Sequence, residues 1–463
     1  MGCKIFRVGV FFDGTGNTKH PDSSKGKQSN VAKLSKLYKQ GDHVINGQKY
    51  TFASIYKNGV GTYDYDILNK FAPTKFGKGA GAGGADRINE AIDELFDILN
   101  IHKVGTDEHL YKERIIDVFG FSRGAAMARD FVNTFNKRNK KWKLKEVRFN
   151  FIGIFDTVGS FGVAGNNINM KPTRDNMLGD EGEIIWGLDA FTKVFQENEN
   201  KPGYEPYNFN LARASAKRIV HMTAHDELRF NFPLTNIQGA GEEWSLIGVH
   251  SDIGGGYAPQ EHEPHTLNIS YLSSDKAKKV AIAEAAKRNA QNGAYSLIGD
   301  WQAIEPTKIS SYDKFHACQR IRYAPTLMRT VNNHLAKVTY HLMYDEAIDS
   351  GVPFEPMDET LPLYLQDYYY YAKAAKQQAF YYADSAQGEK IKAVESHHSA
   401  VDTKEHIHTG YKGHTSLSNA ILHDSADGLG GNDIRSVTDS FSGESKAKRA
   451  IFANIPKQAV KPI

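Results

Sequence analysis

The pentad Gly120-Phe121-Ser122-Arg123-Gly124 constrains this chain more than any other feature. Upstream of it, Arg114-Ile115-Ile116-Asp117-Val118-Phe119 has the apolar character of a short buried strand. Downstream, Ala125-Ala126-Met127-Ala128 followed by Phe131, Val132 and Phe135 fits a helix packed close to a sheet. A strand that passes through one residue into a helix forces that residue into a tight turn. Glycines two before and two after Ser122 leave room for such a backbone. The serine Oγ is then expected at the C-terminal edge of a sheet, above a helix N-terminus that favours developing negative charge.

Strands and helices alternate around this unit. Residues 5–12 read as a buried strand, ended by the turn Asp13-Gly14-Thr15-Gly16-Asn17. Val31, Leu34, Leu37 and Tyr38 make a helical stripe, and Tyr50–Tyr56 reads as a second strand closed by Gly59-Val60-Gly61-Thr62. Ile88, Ile92, Leu95 and Leu99 mark an amphipathic helix. After the pentad come a strand at Val147–Phe155, a polar Gly/Asn-rich excursion at 160–210, a helix around Leu211–Ala224 and a strand at Trp244–Val249. This order predicts the α/β class, with a doubly wound, mainly parallel sheet over residues 1–260. Residues 261–463 change character and are expected to form a mainly helical cap or C-terminal lobe. Its helices fall at Ala277–Ala290, Val338–Ile348 and the tyrosine-loaded Tyr364–Tyr382. A polar loop at about 397–445 follows, and then a basic segment expected to be poorly ordered.

Composition removes several function classes. The 57 basic and 54 acidic residues leave a formal charge of +3, so no polyanion footprint and no nucleic-acid partner is expected. Two cysteines, Cys3 and Cys318, supply neither a disulfide framework nor a cysteine-rich metal site. The apolar start Lys4–Phe12 is too short and interrupted for a signal peptide. Phe6 stands where a myristoylation signal needs Ser or Thr. The expectation is a chain synthesised in the cytoplasm without signal peptide or anchor.

A serine nucleophile needs a base to take its proton and a carboxylate to orient that base. In α/β-hydrolases these follow in the order Ser, acid, His. Asp156 directly follows the strand 147–155, and His250 directly follows the strand 244–249 ahead of Gly254-Gly255-Gly256. Ser122, Asp156 and His250 are therefore the expected triad, although an Asp at a strand end also serves as a helix or turn cap. Asp252 is either an orienter of the base or a loop cap. The oxyanion hole is expected from the backbone N–H of Arg123 and that of Gly14. Asp13-Gly14-Thr15 equally fits a plain turn capped by Asp13. His423, in His423-Asp424-Ser425, is the alternative base or a substrate contact, carried over the site by a cap loop.

Other motifs carry less. Gly79–Gly84 satisfies G-x-G-x-x-G, but no strand precedes it and no acid-ended strand follows at the right distance, so it reads as a loop packed on the elbow. His397, His398, His406, His408 and His414 lack metal-ligand spacing and read as solvated loop residues; no metal or cofactor is expected. The run Tyr368–Tyr371 fits an ordinary helical lobe or a membrane interface.

Taken together, the motifs resemble the α/β-hydrolase family that contains the first class of type VI secretion lipase effectors. The resemblance rests on Phe12–Asn17, Gly59–Thr62, the Gly-rich loop before Arg87-Ile88, Gly120–Ala125, Asp156–Gly159, Asp226–Arg229 and Gly248–Tyr257. It extends through Met343–Ala347, Gly351–Phe354 and His423–Ser425. Departures fall at Gly16, where an aromatic is usual, and at Leu228, where arginine is usual; both bear on the pocket rim. The resemblance implies a Ser122–Asp156–His250 phospholipase A-type esterase acting on membrane glycerophospholipids. It also implies an antibacterial effector carried by a type VI spike, tube or adaptor protein into the target periplasm, and a cognate immunity protein. Two rival expectations stand beside it: a general carboxylesterase for soluble esters, and a non-catalytic scaffold that binds a secretion component.

Overall fold

The computed structural model describes residues 4–19, 27–60, 62, 84–101, 111–160, 207–225, 227, 232–266, 322–384, 449 and 451–462, with a few positions between 271 and 304. Its strands in chain order begin with β1 (Lys4–Phe12), β2 (Gly41–Ile45), β3 (Gln48–Lys57), β4 (Tyr111–Phe121) and β5 (Val147–Phe155). They continue with β6 (Arg218–Ala224), β7 (Leu234–Thr235) and β8 (Glu242–Leu246). Seven of these form one sheet in the order β2-β3-β1-β4-β5-β6-β8. Every pairing in it is parallel except that of the edge hairpin β2–β3.

The helices are α1 (Asn30–Leu37), α2 (Gly84–Ile101), α3 (Arg123–Trp142), α4 (His250–Gly254), α5 (His334–Asp349) and α6 (Leu363–Asp384). Buried on both faces, the central strands are apolar at nearly every position. Val8, Val10, Phe12, Ile116, Val118, Ile152 and Ile154 face α2 and α3. Phe11, Phe119, Phe121, Phe151, Phe155 and Met222 join Val31, Leu342, Met343 and Tyr368 of α1, α5 and α6 on the other side. Each large side chain buried this fully contributes about 1.5–3 kcal/mol. The result is an α/β/α sandwich of the α/β-hydrolase-like kind.

Topology then decides where a ligand can bind. From β1 the chain steps to β3 on one side, and β4 takes the place on β1's other side. Open parallel sheets bind ligands at the carboxyl ends of the strands flanking such a reversal. Here those ends carry Asp13 and Ser122.

Several expectations need correction. The segment around Leu211–Ala224 is a 3₁₀ turn at Arg213–Ser215 followed by β6, not a helix. A short apolar run fits either state, and this one is buried between β5 and β8. The stretch after residue 260 is not simply helical. It contains β9 (Gln260–Thr266), β10 (Tyr271–Leu272), β11 (Trp301–Ile304) and β12 (Arg322–Asn332) in a four-stranded antiparallel sheet. Pro264 and Pro325 lie within those strands and mask their pattern in the sequence. Nor does residue 260 separate a core from a cap, since α5 packs into the main sheet's second face. The described part of the basic tail, residues 449 and 451–462, joins the fold, where β13 (Ile451–Phe452) pairs with β7. Residues 161–206, most of Ala277–Ala290, the glycine run 79–83 and the loop 397–445 with His423 lie outside the described residues.

Candidate active site

Ser122 sits between β4 and α3 with φ 60° and ψ −128°, a backbone state that L-residues avoid. The flanking glycines make it possible. A Cβ on Gly120 would lie 2.6 Å from Ala125 Cα, and one on Gly124 would lie 2.3 Å from Phe12 O and 2.4 Å from Asp13 O. The pentad therefore wedges β4 against α3 and against the end of β1. Ser122 N–H donates to Phe155 O at 3.0 Å, and Ser122 O accepts from Val158 N–H at 3.2 Å. The serine is thereby pinned to the segment that carries Asp156.

Parallel register brings the acid alongside. Phe121 pairs with Phe155, so Ser122 and Asp156 leave adjacent strands at one level. Asp156 is fully buried and also holds a positive φ, 38°. Its Oδ2 lies 2.5 Å from His250 Nδ1, and its Oδ1 accepts from Ala224 N–H at 2.9 Å. Burial alone would push this carboxyl up. Arg449 and the His250 hydrogen bond reverse that effect and hold it well below the usual carboxylate range. An ionised carboxylate only accepts, so Nδ1 carries the imidazole proton.

His250 opens α4, the short helix after β8. Its ring lies between two phenyl rings, Phe121 and Phe232, each with its centroid 4.7 Å away. Glu227 Oε2 accepts from its backbone N–H at 3.2 Å. Ser122 Oγ makes no hydrogen bond among the described residues.

The remaining expected residues divide. Asp252 Oδ2 accepts from Val249 N–H at 3.1 Å, which makes it the cap of α4; the orienter's place is taken by Asp156. Asp13 is fully buried and accepts from Gly14 N–H at 2.7 Å and from Tyr56 Oη. Burial pushes its carboxyl up to about 6, against the pull of Ser29, Tyr56 and Gly14. The expectation that the Gly14 N–H faces a substrate oxygen is therefore not met in this state, because a buried carboxyl takes the nearest donor. Arg123 occupies the first helical position, where a backbone N–H has no intrahelical acceptor. Its side chain, buried and lowered by burial to about 10, spans from Ser160 O (2.6 Å) to Thr15 Oγ1 (2.7 Å). It thus ties the loop after β1 to the loop after β5.

Sequence reasoning missed three supporting groups. Arg449 meets both Asp156 oxygens. Phe232 covers the imidazole. His221, buried on β6, accepts from Thr157 N–H at 3.1 Å through Nε2 and pairs with Glu243 through Nδ1 at 2.9 Å, fixing the turn after Asp156. An adjacent Lys446-Ala447-Lys448-Arg449 run reads as a solvated tail, and nothing in it signals the pairing. Among the described residues no group of three His, Cys, Asp or Glu side chains could hold a metal ion, and no helix is long and apolar enough to cross a membrane.

A serine raised on a strand-to-helix elbow, with a carboxylate and an imidazole joined beside it at later strand ends, defines a protein of the α/β-hydrolase class. The chain belongs to the family of type VI secretion phospholipase effectors resembling Tle1, whose catalytic-domain model matches residues 7–138 and 131–275, more than half of the sequence. Among solved structures it is similar to the Tle1 effector bound to the VgrG spike of the type VI secretion system. That likeness has 23% identity, a TM-score of 0.53, and covers 84% of this chain and 83% of that one. An uncharacterized protein from Pseudomonas aeruginosa aligns at 17% identity and a TM-score of 0.37, covering 87% of this chain and 54% of that one. No curated protein matches.

Proposed function

We propose that this family member is a phospholipase A-type serine esterase in which Ser122 attacks an acyl ester carbonyl of a membrane glycerophospholipid. His250 takes the serine proton through Nε2 and returns it to the leaving lysophospholipid oxygen. Asp156 holds the imidazole and stabilises the imidazolium. The Arg123 N–H receives the oxyanion, a contact worth about 2.7–4 kcal/mol per donor. Water then attacks the acyl-enzyme, with His250 again as base, and releases fatty acid. The observation that carries this reading is the buried 2.5 Å Asp156–His250 pair beside a serine held at φ 60°.

Delivery follows the family. The spike-bound relative supports a type VI spike protein as carrier, and the effector family supports secretion by that route. An antibacterial action in the target periplasm and a cognate immunity protein complete the proposal.

The test is fatty-acid release from phosphatidylethanolamine–phosphatidylglycerol vesicles. Wild type is expected to release fatty acid, and a folded Ser122→Ala variant is expected to release none above the vesicle background. Equal release by both proteins overturns the assignment. Release by wild type from short-chain soluble esters alone transfers it to the carboxylesterase class.

A further inference from the structure

The C-terminal segment is built into the body of the protein. Asn454 Nδ2 donates to Leu211 O and Gln238 O, both at 2.9 Å, and its Oδ1 accepts from Leu211 N–H at 2.8 Å. Asn454 N–H donates to Asn236 Oδ1 at 2.8 Å, and Ile455 N–H to Asn210 Oδ1 at 2.8 Å. Val460 N–H reaches Asn133 Oδ1 on α3 at 2.8 Å. Between these anchors and the site stands Arg449. Its Nη1 donates to Asp156 Oδ1 and its Nη2 to Asp156 Oδ2, each at 2.7 Å, while Nε donates to Phe232 O at 2.7 Å. The side chain is 7% exposed.

From this arrangement the geometry points to Arg449 as a positioning residue for the triad, supplied by a C-terminal strap without which the site is incomplete. The inference rests on the serine-esterase reading and deepens it. A planar guanidinium meeting both oxygens fixes the plane of the Asp156 carboxylate, which one imidazole N–H alone would leave free to rotate. The same guanidinium holds Phe232 O, and so the ring that packs edge-on against His250. Electrostatics adds a second consequence. The imidazole faces Asp156, with Glu227 at its backbone N–H, Asp252 on its own helix and buried His221 on the far side of the Asp156 turn; among the described residues Arg449 is the guanidinium bonded to Asp156. Removing it takes this cation from Asp156 and makes His250 harder to deprotonate.

The experiment uses the full chain with Arg449→Gln, Arg449→Ala and Arg449→Lys, each checked for folding by circular dichroism. Lys457→Gln, an exposed change on the same tail, is the charge control. Hydrolysis of a short-chain p-nitrophenyl ester is followed from pH 5 to 9. Arg449→Gln is expected to lower kcat about 10²-fold, as misplacement of a catalytic group does, with KM little changed. Its acid limb should move up by about one pH unit or more, the size of a neighbouring-charge effect. Arg449→Lys keeps the charge and loses the two-pronged geometry, so its kcat falls while its acid limb stays near that of wild type. Added guanidinium should restore part of the rate of Arg449→Ala. Wild-type kcat and pH profile in folded Arg449→Gln overturn the inference alone, provided Ser122→Ala is inactive. A loss with unchanged acid limb and no rescue also overturns it, because it marks a purely structural role. If Arg449→Gln does not fold, Arg449→Lys decides: wild-type kcat in that variant overturns the inference. Full activity in Ser122→Ala removes the esterase reading and the inference with it.

Discussion

Phe121 and Phe155 stand opposite each other in the parallel register of β4 and β5. That pairing makes Ser122 and Asp156 next-door neighbours at the sheet's edge, although 33 residues separate them in sequence (positions 123–155). The Ser122 N–H to Phe155 O bond of 3.0 Å closes the level. The imidazole arrives from two strands farther along and lies against Phe121. Much of the site therefore follows from how the ends of β4, β5 and β8 line up.

The elbow depends on the absence of a side chain at residue 124. Gly124→Ala sets a Cβ against the Phe12 and Asp13 carbonyls, both backbone atoms that cannot swing aside. Overpacking of this kind costs about 1–3 kcal/mol or more. Urea unfolding is expected to show that loss, accompanied by a fall in ester hydrolysis as the serine leaves its position. A fully stable, fully active variant would show that the turn is looser than described.

Asp156→Asn removes the charge that orients His250 and leaves Arg449 buried beside a neutral amide. The amide can also present an N–H to Nδ1 and favour the wrong tautomer. For a serine–histidine–aspartate triad this change lowers kcat about 10⁴-fold. The expected result here is a fall of roughly 10³–10⁴-fold in kcat against a soluble ester, with the fold retained as judged by circular dichroism. Retention of a tenth of the activity would give the orienting role to another carboxylate.

Asp13 makes stability depend on pH with a definite sign. Its folded carboxyl titrates at about 6, above the unfolded value of 3.8. The folded state thus binds the proton more tightly, and the contribution is full below pH 4 and lost as pH rises through 6. The difference corresponds to about 3 kcal/mol. His221, whose imidazole burial pushes down, opposes this below its ordinary value of 6.5, so the comparison is between wild type and Asp13→Asn. Urea unfolding at pH 4.5 and 7.5 should show that wild type loses stability between the two relative to the variant. Parallel changes in the two proteins would mean that Asp13 titrates normally.

Arg123 ties the loops after β1 and β5 together through its side chain. Arg123→Lys retains the charge but cannot reach both Ser160 O and Thr15 Oγ1 with one ammonium in the same geometry. A lower kcat with little change in KM is the expected outcome in steady-state ester hydrolysis, because the loop that frames the oxyanion loosens. Unchanged kcat would confine Arg123 to its backbone role.

How legible all this was varies along the chain for physical reasons. The unit from Arg114 to Phe135 could be read because strand, glycines and helix each leave a local signature, and the structure repeats it as β4, elbow and α3. Strands β1 and β5, buried on both faces, were equally plain. β6 was not, since seven apolar-rich residues serve a strand or a helix and only the vacancy between β5 and β8 decides. The Asp156–His250 approach was legible as chain order, its distance was not. Arg449 was illegible altogether. Its partner lies 293 residues away, and a basic tail carries no local sign of a buried ion pair.

The most direct measurement of the central claim is covalent labelling by a fluorophosphonate probe, read by mass spectrometry of the tryptic peptide. Such a probe reacts with a serine whose proton a neighbouring base can take. The account predicts one modified residue, Ser122, with labelling lost in Ser122→Ala and strongly slowed in His250→Ala. No label on folded wild-type protein, or equal labelling rates in wild type and His250→Ala, would contradict it.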